Sequence, residues 1–255
     1  MNEKLLYTKI YRDLYVRGKE RSPRGMLTKE LENYHVDFLP NHKFINFESR
    51  KLNINYIKKE IQWYFKGDLE DLSICNEAAI WKKCVTHGKL NSNYGYYLFT
   101  KAGLGFVVNE LEKDQDSRRA LVSIFNSHQH LFSDNNDVPC TATLGFRIRD
   151  GVLNMTVHMR SQDAIYGLGN DLPFFNLCWE IVAVALNVPQ GKYHHFVESF
   201  HVYERHFEML DTILHEDNFY EIQRPRIALT DAKQLLNAIY PAQGSDFMRW
   251  LHDET

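Results

Sequence analysis

VPCTATLGFRIRDGVLNMTVHMRSQDAIYGLGND, residues 138–171, decides how this chain is read. Leu144, Phe146 and Ile148 alternate with Thr143, Gly145, Arg147 and Arg149, the period of a strand with one buried face. Leu153, Met155, Val157 and Met159 repeat the pattern. Between the two runs stands Asp150-Gly151. Such a dipeptide predicts a β-hairpin, because both turn positions must take positive φ. The turn sets the register: Arg149 faces Val152, Ile148 faces Leu153, Phe146 faces Met155 and Leu144 faces Val157. Apolar meets apolar along the ladder. Continued outward, Thr141 comes opposite Arg160 and Cys140 opposite Ser161. Strict alternation sends Arg160 to the face away from Cys140, so contact between them requires a bulge or a frayed strand end. A thiol beside a guanidinium is expected to have a depressed pKa and to serve as a nucleophile. The plain alternative for Cys140 is a buried core cysteine on the Leu144/Phe146 face.

Composition bounds the rest. The 255 residues are 44% hydrophobic and carry a formal net charge of −3, which suits one catalytic-sized domain over residues 1–255 and supplies no basic field for a nucleic-acid polymer. Four cysteines without CxxC spacing point to a reducing compartment. No leader-like segment and no apolar run of membrane-spanning length is seen, so a soluble cytoplasmic protein without a membrane partner is expected. Histidines are plentiful (His128, His130, His194, His195, His201, His206), but no metal-ligand spacing joins them. Most are expected to be surface or hydrogen-bonded residues, and no metal is expected.

Along the chain, helical spacing predicts a helix over 2–16, then a basic loop from Arg17 to Gly25 whose arginines suit an anion-gripping turn. Weak alternation over 33–47 suggests a strand. Residues 53–67 read as a helix ended by Gly67, with Glu60 among aromatics where its pKa can be raised. A His87-Gly88 turn, a helix over 104–113 and a strand over 120–125 follow. The adjacent Arg118 and Arg119 precede that strand, as a solvated pair or a phosphate grip. Asn176 is expected to cap a buried helix over 177–186. A short strand over 200–203 puts His201 and Tyr203 on one face. A helix over 204–214, a strand-like 227–229 and a helix over 231–239 capped by Thr230 or Asp231 complete the reading.

The motifs EIQWYFKGD (60–68), IWKK (80–83), NSNYG (91–95), DSRR (116–119), VPC (138–140), MRSQD (159–163), GND (169–171) and FHVYERH (200–206) stand in one order. Together they resemble the thymidylate synthase family, and within it the deoxycytidylate hydroxymethylases of tailed bacteriophages, from Arg21 to about Pro225. The resemblance implies an α+β fold with a large twisted mixed β-sheet, surrounding helices and a homodimer joined through the sheet. It places the nucleophile on Cys140 and the general acid on Glu60. Phosphate-gripping arginines fall on Arg160, on Arg21 or Arg24, and on Arg118 and Arg119, the last two reaching across from the partner subunit. Ser161 and Asn170 belong to the substrate site, His201 and Tyr203 match residues that hold the sugar hydroxyl, and Tyr94 matches a tyrosine near the nucleophile. Arg50, Ile80, Trp81 and Asp163 match positions at the folate.

The implied chemistry adds a thiolate to C6 of a pyrimidine nucleoside monophosphate so that C5 takes a one-carbon unit from 5,10-methylenetetrahydrofolate. Several departures from the synthase pattern bear on the product. Asp171 stands where the synthases read uracil with Asn, and a carboxyl group matches the N3 acceptor and N4 donor of cytosine. Cys84, Asp137 and Thr141 replace bulkier or different residues, and the closing C-terminal segment is not recognisable in 247–255, which favours water over hydride at the last step. The resemblance thus implies dCMP hydroxymethylation, as in phage-type DNA modification. Methylation of dUMP or dCMP, hydroxymethylation of dUMP or CMP, and a non-catalytic nucleotide- or RNA-binding relative stay open at this point.

Overall fold

The structure, a computed structural model, describes residues 2–253. In chain order its regular elements are α1 (Glu3–Arg17), β1 (Lys19–Arg21), β2 (Thr28–Phe38), α2 (Ile54–Lys66), α3 (Ala79–Cys84), α4 (Gly95–Leu98), α5 (Leu104–Lys113) and β3 (Leu121–Ser123). Then come α6 (Ser127–His130), β4 (Thr141–Arg149), β5 (Val152–Asp163), α7 (Tyr166–Leu186), β6 (Gln190–Tyr203), α8 (Phe207–His215), α9 (Leu229–Leu235) and α10 (Asp246–His252). The six strands form one mixed α+β sheet in the order β1-β2-β6-β5-β4-β3, with β5 and β6 its parallel pair. No helix among the described residues is long and apolar enough to cross a membrane.

The hairpin β4–β5 has the register its turn predicts, from Arg149↔Val152 to Leu144↔Val157. Asp150 and Gly151 both have positive φ (51° and 73°), and Leu144, Phe146, Ile148, Leu153, Met155 and Val157 are buried. The register then slips between Thr141 and Thr143, so that Thr141 pairs with Met159 instead of Arg160. This is the irregularity that contact between Cys140 and Arg160 required. The freed carbonyl of Ala142 accepts from the N–H groups of Ile124 and Phe125.

One face of the sheet packs on the helices; the other is open. His35, His158 and Phe196 stack there, with ring centroids 4.1 Å apart for His35–Phe196 and 5.1 Å for His158–Phe196. Asp37 bonds both His35 and His194, at 2.9 and 2.7 Å.

Several elements differ from the sequence reading, each for a physical reason. The basic stretch after α1 is not all loop: β1 pairs with β2 through Lys19↔Glu30 and Glu20↔Lys29, a charge-matched edge with no apolar period to reveal it. β2 starts at Thr28 and ends at Phe38, short of residue 47. α7 begins at Tyr166, so Asn176 lies mid-helix and caps nothing; its side chain accepts from Arg224. Gly169 lies inside this helix and serves close packing. A Cβ on it would lie 2.1 Å from the buried guanidinium of Arg50. β6 extends back to Gln190 because His195, a polar residue, occupies a core position and hides the alternation. Residues 227–229 form no strand, and α9 begins at Leu229.

Candidate active site

The site collects at the bulged end of the hairpin. α2 runs from the Asn53 cap, which accepts from the Tyr56 N–H, to Gly67 in the left-handed conformation, and it turns Glu60 inward at 5% exposure. The Tyr56 hydroxyl donates to Glu60 Oε1 at 2.8 Å and accepts from the Trp81 indole N–H at 2.9 Å. Tyr56 therefore links the position expected at the folate to the expected acid. Only its helical i, i+4 spacing to Glu60 signalled this. Burial, reinforced by the Asp171 charge, pushes the Glu60 carboxyl up to about 8. Burial raises Asp171 to about 7, against the lowering effect of a bond from Gln162 Nε2 to its Oδ2 at 3.0 Å.

Arg160 curls back over the segment before β4. Its Nε donates to Pro139 O at 2.9 Å, its Nη2 to Val138 O at 2.5 Å, and Nη2 lies 3.6 Å from Cys140 Sγ. The expected depressed thiol is not what results. Burial raises Cys140 above its ordinary value despite Arg160, and the charges of Asp171 and Asp137 add to the rise. Desolvation outweighs one guanidinium that is already hydrogen-bonded to two carbonyls. Asp137 is itself buried and accepts from the Ser92 N–H at 2.8 Å and the Ser92 hydroxyl at 2.5 Å. It ties the loop before α4 to the nucleophile's segment. Cys84, beside Asp137 and Cys140, is pushed up to about 11, chiefly by burial.

Other expected residues fall into groups. Tyr94 is buried, stacked on Tyr64 at 5.5 Å, with Asp171 and Cys140 within electrostatic reach. Tyr203 is reached by the charges of Asp163, Arg24 and Cys140, and packs edge-on to His201 at 5.0 Å. Arg24, at a positive-φ position of a short 3-10 turn, also acts on Cys140; Arg21 instead bonds Glu32 at 3.1 Å with Glu30 at 3.8 Å. Ser161 is half-buried and pairs with Ser199 across β5–β6. Asp163 accepts from the Ile165 N–H in the turn just before α7. Arg50 lies fully inside, donating to Ile165 O, Ile45 O and Asn170 Oδ1, so it clamps the start of α7. Ile80 is exposed on α3.

Arg118 and Arg119 are not brought to this site. Ala120 O accepts from the Phe146 N–H, which sets the pair beside the middle of β4. At the usual strand rise that is about 20 Å along β4 from Cys140. Arg119 bonds Glu110 at 3.0 Å.

The description "thymidylate synthase" belongs to the family model that matches residues 5–248. The chain belongs to the thymidylate synthase family. Within that family it is similar to the deoxycytidylate 5-hydroxymethyltransferases of Enterobacteria phages T4, T2 and T6. Each is 31% identical over 199 residues, covering 72% of this chain and 79% of the relative. Beside the family's expected residues and the half-buried Tyr56, this thymidylate synthase-family chain carries a buried set that the sequence did not flag as part of the site: Gln162, Tyr193 and His195.

Proposed function

We propose that the protein transfers a one-carbon unit from 5,10-methylenetetrahydrofolate to C5 of dCMP and completes the reaction with water, giving 5-hydroxymethyl-dCMP. The observation that carries this reading is Asp171: a half-buried carboxyl raised to about 7 by desolvation, in electrostatic reach of Cys140 and Glu60. An acid at that position shares a proton with cytosine N3 and accepts from the N4 amino group. The T4, T2 and T6 relatives, named for action on deoxycytidylate, support the same base.

Cys140 gives up its thiol proton as its sulfur bonds C6, and the C5–C6 electron pair attacks the methylene carbon as the bond from that carbon to one of its two folate nitrogens breaks. Arg160, 3.6 Å from the sulfur, stabilises the thiolate as it forms. C5 then gives up its proton and tetrahydrofolate leaves with the bonding pair, producing an exocyclic methylene. Glu60, held up to about 8 and oriented by Tyr56, moves protons at the ring's exocyclic edge. Hydroxide from water adds to the methylene, and expulsion of the Cys140 thiolate restores the C5–C6 double bond. Nothing is oxidised, so the folate product is tetrahydrofolate. Ile80, Trp81 and Asp163 line the folate side, Arg24, Arg160 and Ser161 the phosphate side, and His201 and Tyr203 the sugar.

A homodimer completes the site. Arg118 and Arg119 lie too far along β4 to serve their own chain, and the open sheet face supplies a surface through which a second copy brings its pair to Cys140. Mass spectrometry after separate incubation of dCMP, CMP and dUMP with methylenetetrahydrofolate tests the reading. A hydroxymethyl gain on dCMP, with no absorbance rise from dihydrofolate, is expected. Turnover of dUMP alone, or stoichiometric dihydrofolate, overturns it.

A further inference from the structure

β6 carries Tyr193 and His195 two residues apart on its inward face, exposed by 0% and 1%. The Tyr193 hydroxyl lies 2.7 Å from His195 Nδ1, His195 Nε2 lies 2.6 Å from Gln162 Oε1, and Gln162 Nε2 lies 3.0 Å from Asp171 Oδ2. The four side chains form one unbranched chain of hydrogen bonds from the core to the site. We propose that Tyr193 and His195 are positioning residues that, by locking the Gln162 amide, dictate which oxygen of Asp171 carries its proton. This deepens the proposed reading of the base by Asp171 and rests on it.

Such a chain has two self-consistent proton arrangements. In the first, Tyr193 donates to Nδ1, His195 donates from Nε2 to the amide oxygen, and the amide N–H donates to Asp171 Oδ2. Oδ2 is then an acceptor only, and a proton on Asp171 must sit on Oδ1, which has no protein partner among the described residues. In the second, the amide is turned over. A proton on Oδ2 is donated inward to the amide oxygen, the amide N–H donates to Nε2, and Nδ1–H donates to the Tyr193 oxygen. The acid's proton is then hidden from any ligand, and the buried Tyr193 hydroxyl is left without an acceptor. A buried donor without a partner is disfavoured, so the first arrangement holds. His195 stays neutral in it: burial takes it down to about 3, and His35 and His158 act in the same direction.

The arrangement explains how one carboxyl selects cytosine. The Oδ1 proton is available to the ring nitrogen while Oδ2 stays an acceptor. Asp171 is faced by Glu60, Tyr56 and Tyr64 from α2, by Tyr94, by Cys140, by Asp163 and by Tyr193 from β6. None of these is a cation. The direction of the Gln162 bond is therefore the main influence holding the Asp171 carboxyl down.

Nuclear magnetic resonance of the ligand-free protein tests the proposal without requiring turnover. In the wild type, 15N-labelled histidine signals, assigned to His195 with His195→Gln, should show the Nε2–H tautomer and no charge at pH 7. Tyr193→Phe keeps the ring that packs against Phe38, Phe175 and Trp179. It removes the proton that pins Nδ1, letting the amide turn and accept from a protonated Asp171. The Asp171 carboxyl midpoint, read by 13C, should then rise by about one pH unit, and dCMP over dUMP discrimination should fall about tenfold. An Nδ1–H tautomer in the wild type, or an unmoved midpoint in Tyr193→Phe, overturns the proposal. Absence of dCMP turnover in the wild type overturns the proposed function and leaves both spectroscopic results standing.

Discussion

Two carboxylates, Glu180 and Glu60, are buried to similar depth in this protein, and the clusters around them are built by opposite rules. Glu180, its side chain 1% exposed, meets Arg224 at 2.6 Å and Arg226 at 3.3 Å, and accepts from the Ile227 N–H. Arg224 in turn donates to Pro225 O and Asn176 Oδ1. Glu60 has a neutral hydroxyl as its partner and another acid, Asp171, as its electrostatic neighbour. The first cluster is a neutralised anchor that ties the segment before α9 to α7. The second is left without a counter-charge, so its members hold protons near neutral pH and can exchange them. A buried charge is either matched and structural or unmatched and reactive.

The sharpest break between the two comes from one substitution in each cluster. Glu60→Gln should lower product formation by about 10²–10⁴-fold at pH 7, as loss of a general acid does, with a melting temperature no lower than wild type. Arg224→Met removes the buried counter-charge and leaves Glu180 only the solvent-exposed Arg226 and the Ile227 N–H. Calorimetry should find a loss of about 3–5 kcal/mol, while turnover per folded molecule stays as it was. A melting temperature unchanged by Arg224→Met would erase the distinction.

Stability against pH comes next in size. The folded-state pKa of Glu60, about 8, and that of Asp171, about 7, both lie above ordinary unfolded carboxyl values near 4. The folded protein therefore binds these protons more tightly than the unfolded chain. Their contribution is fully present below pH 4 and is lost as pH rises toward 8. Urea unfolding of wild type and Glu60→Gln at pH 5 and pH 9 should show the variant gaining roughly 2–4 kcal/mol relative to wild type across that interval. A constant difference would place Glu60 outside the unmatched class.

Asp171→Asn turns the acid into the amide that the uracil-reading synthases carry. The ratio of dUMP to dCMP turnover should rise about 100-fold, or some 2–3 kcal/mol of discrimination; an unchanged ratio removes Asp171 from base recognition. The smallest effect belongs to the far end of the hairpin. Gly151→Ala at φ 73° should cost about 1 kcal/mol in chemical denaturation and leave activity untouched.

What the sequence determined by itself is local. The Asp150-Gly151 turn specified its own conformation and, through it, the pairing from Arg149↔Val152 to Leu144↔Val157. Asn53 and Gly67 bounded α2, and the ordered motifs pointed to the family. Each of these follows from backbone preferences within a few residues or from a pattern held in one line. What tertiary structure alone decided depends on groups distant in sequence. The slip at Thr141 that lets Arg160 reach Cys140, the start of α7 under Arg50, and the core place of His195 in β6 are all of this kind. So is the state of the Cys140 thiol, which the nearby guanidinium alone would lower. Burial raises it instead, because desolvation depends on everything packed around an atom and not on its neighbours in the chain.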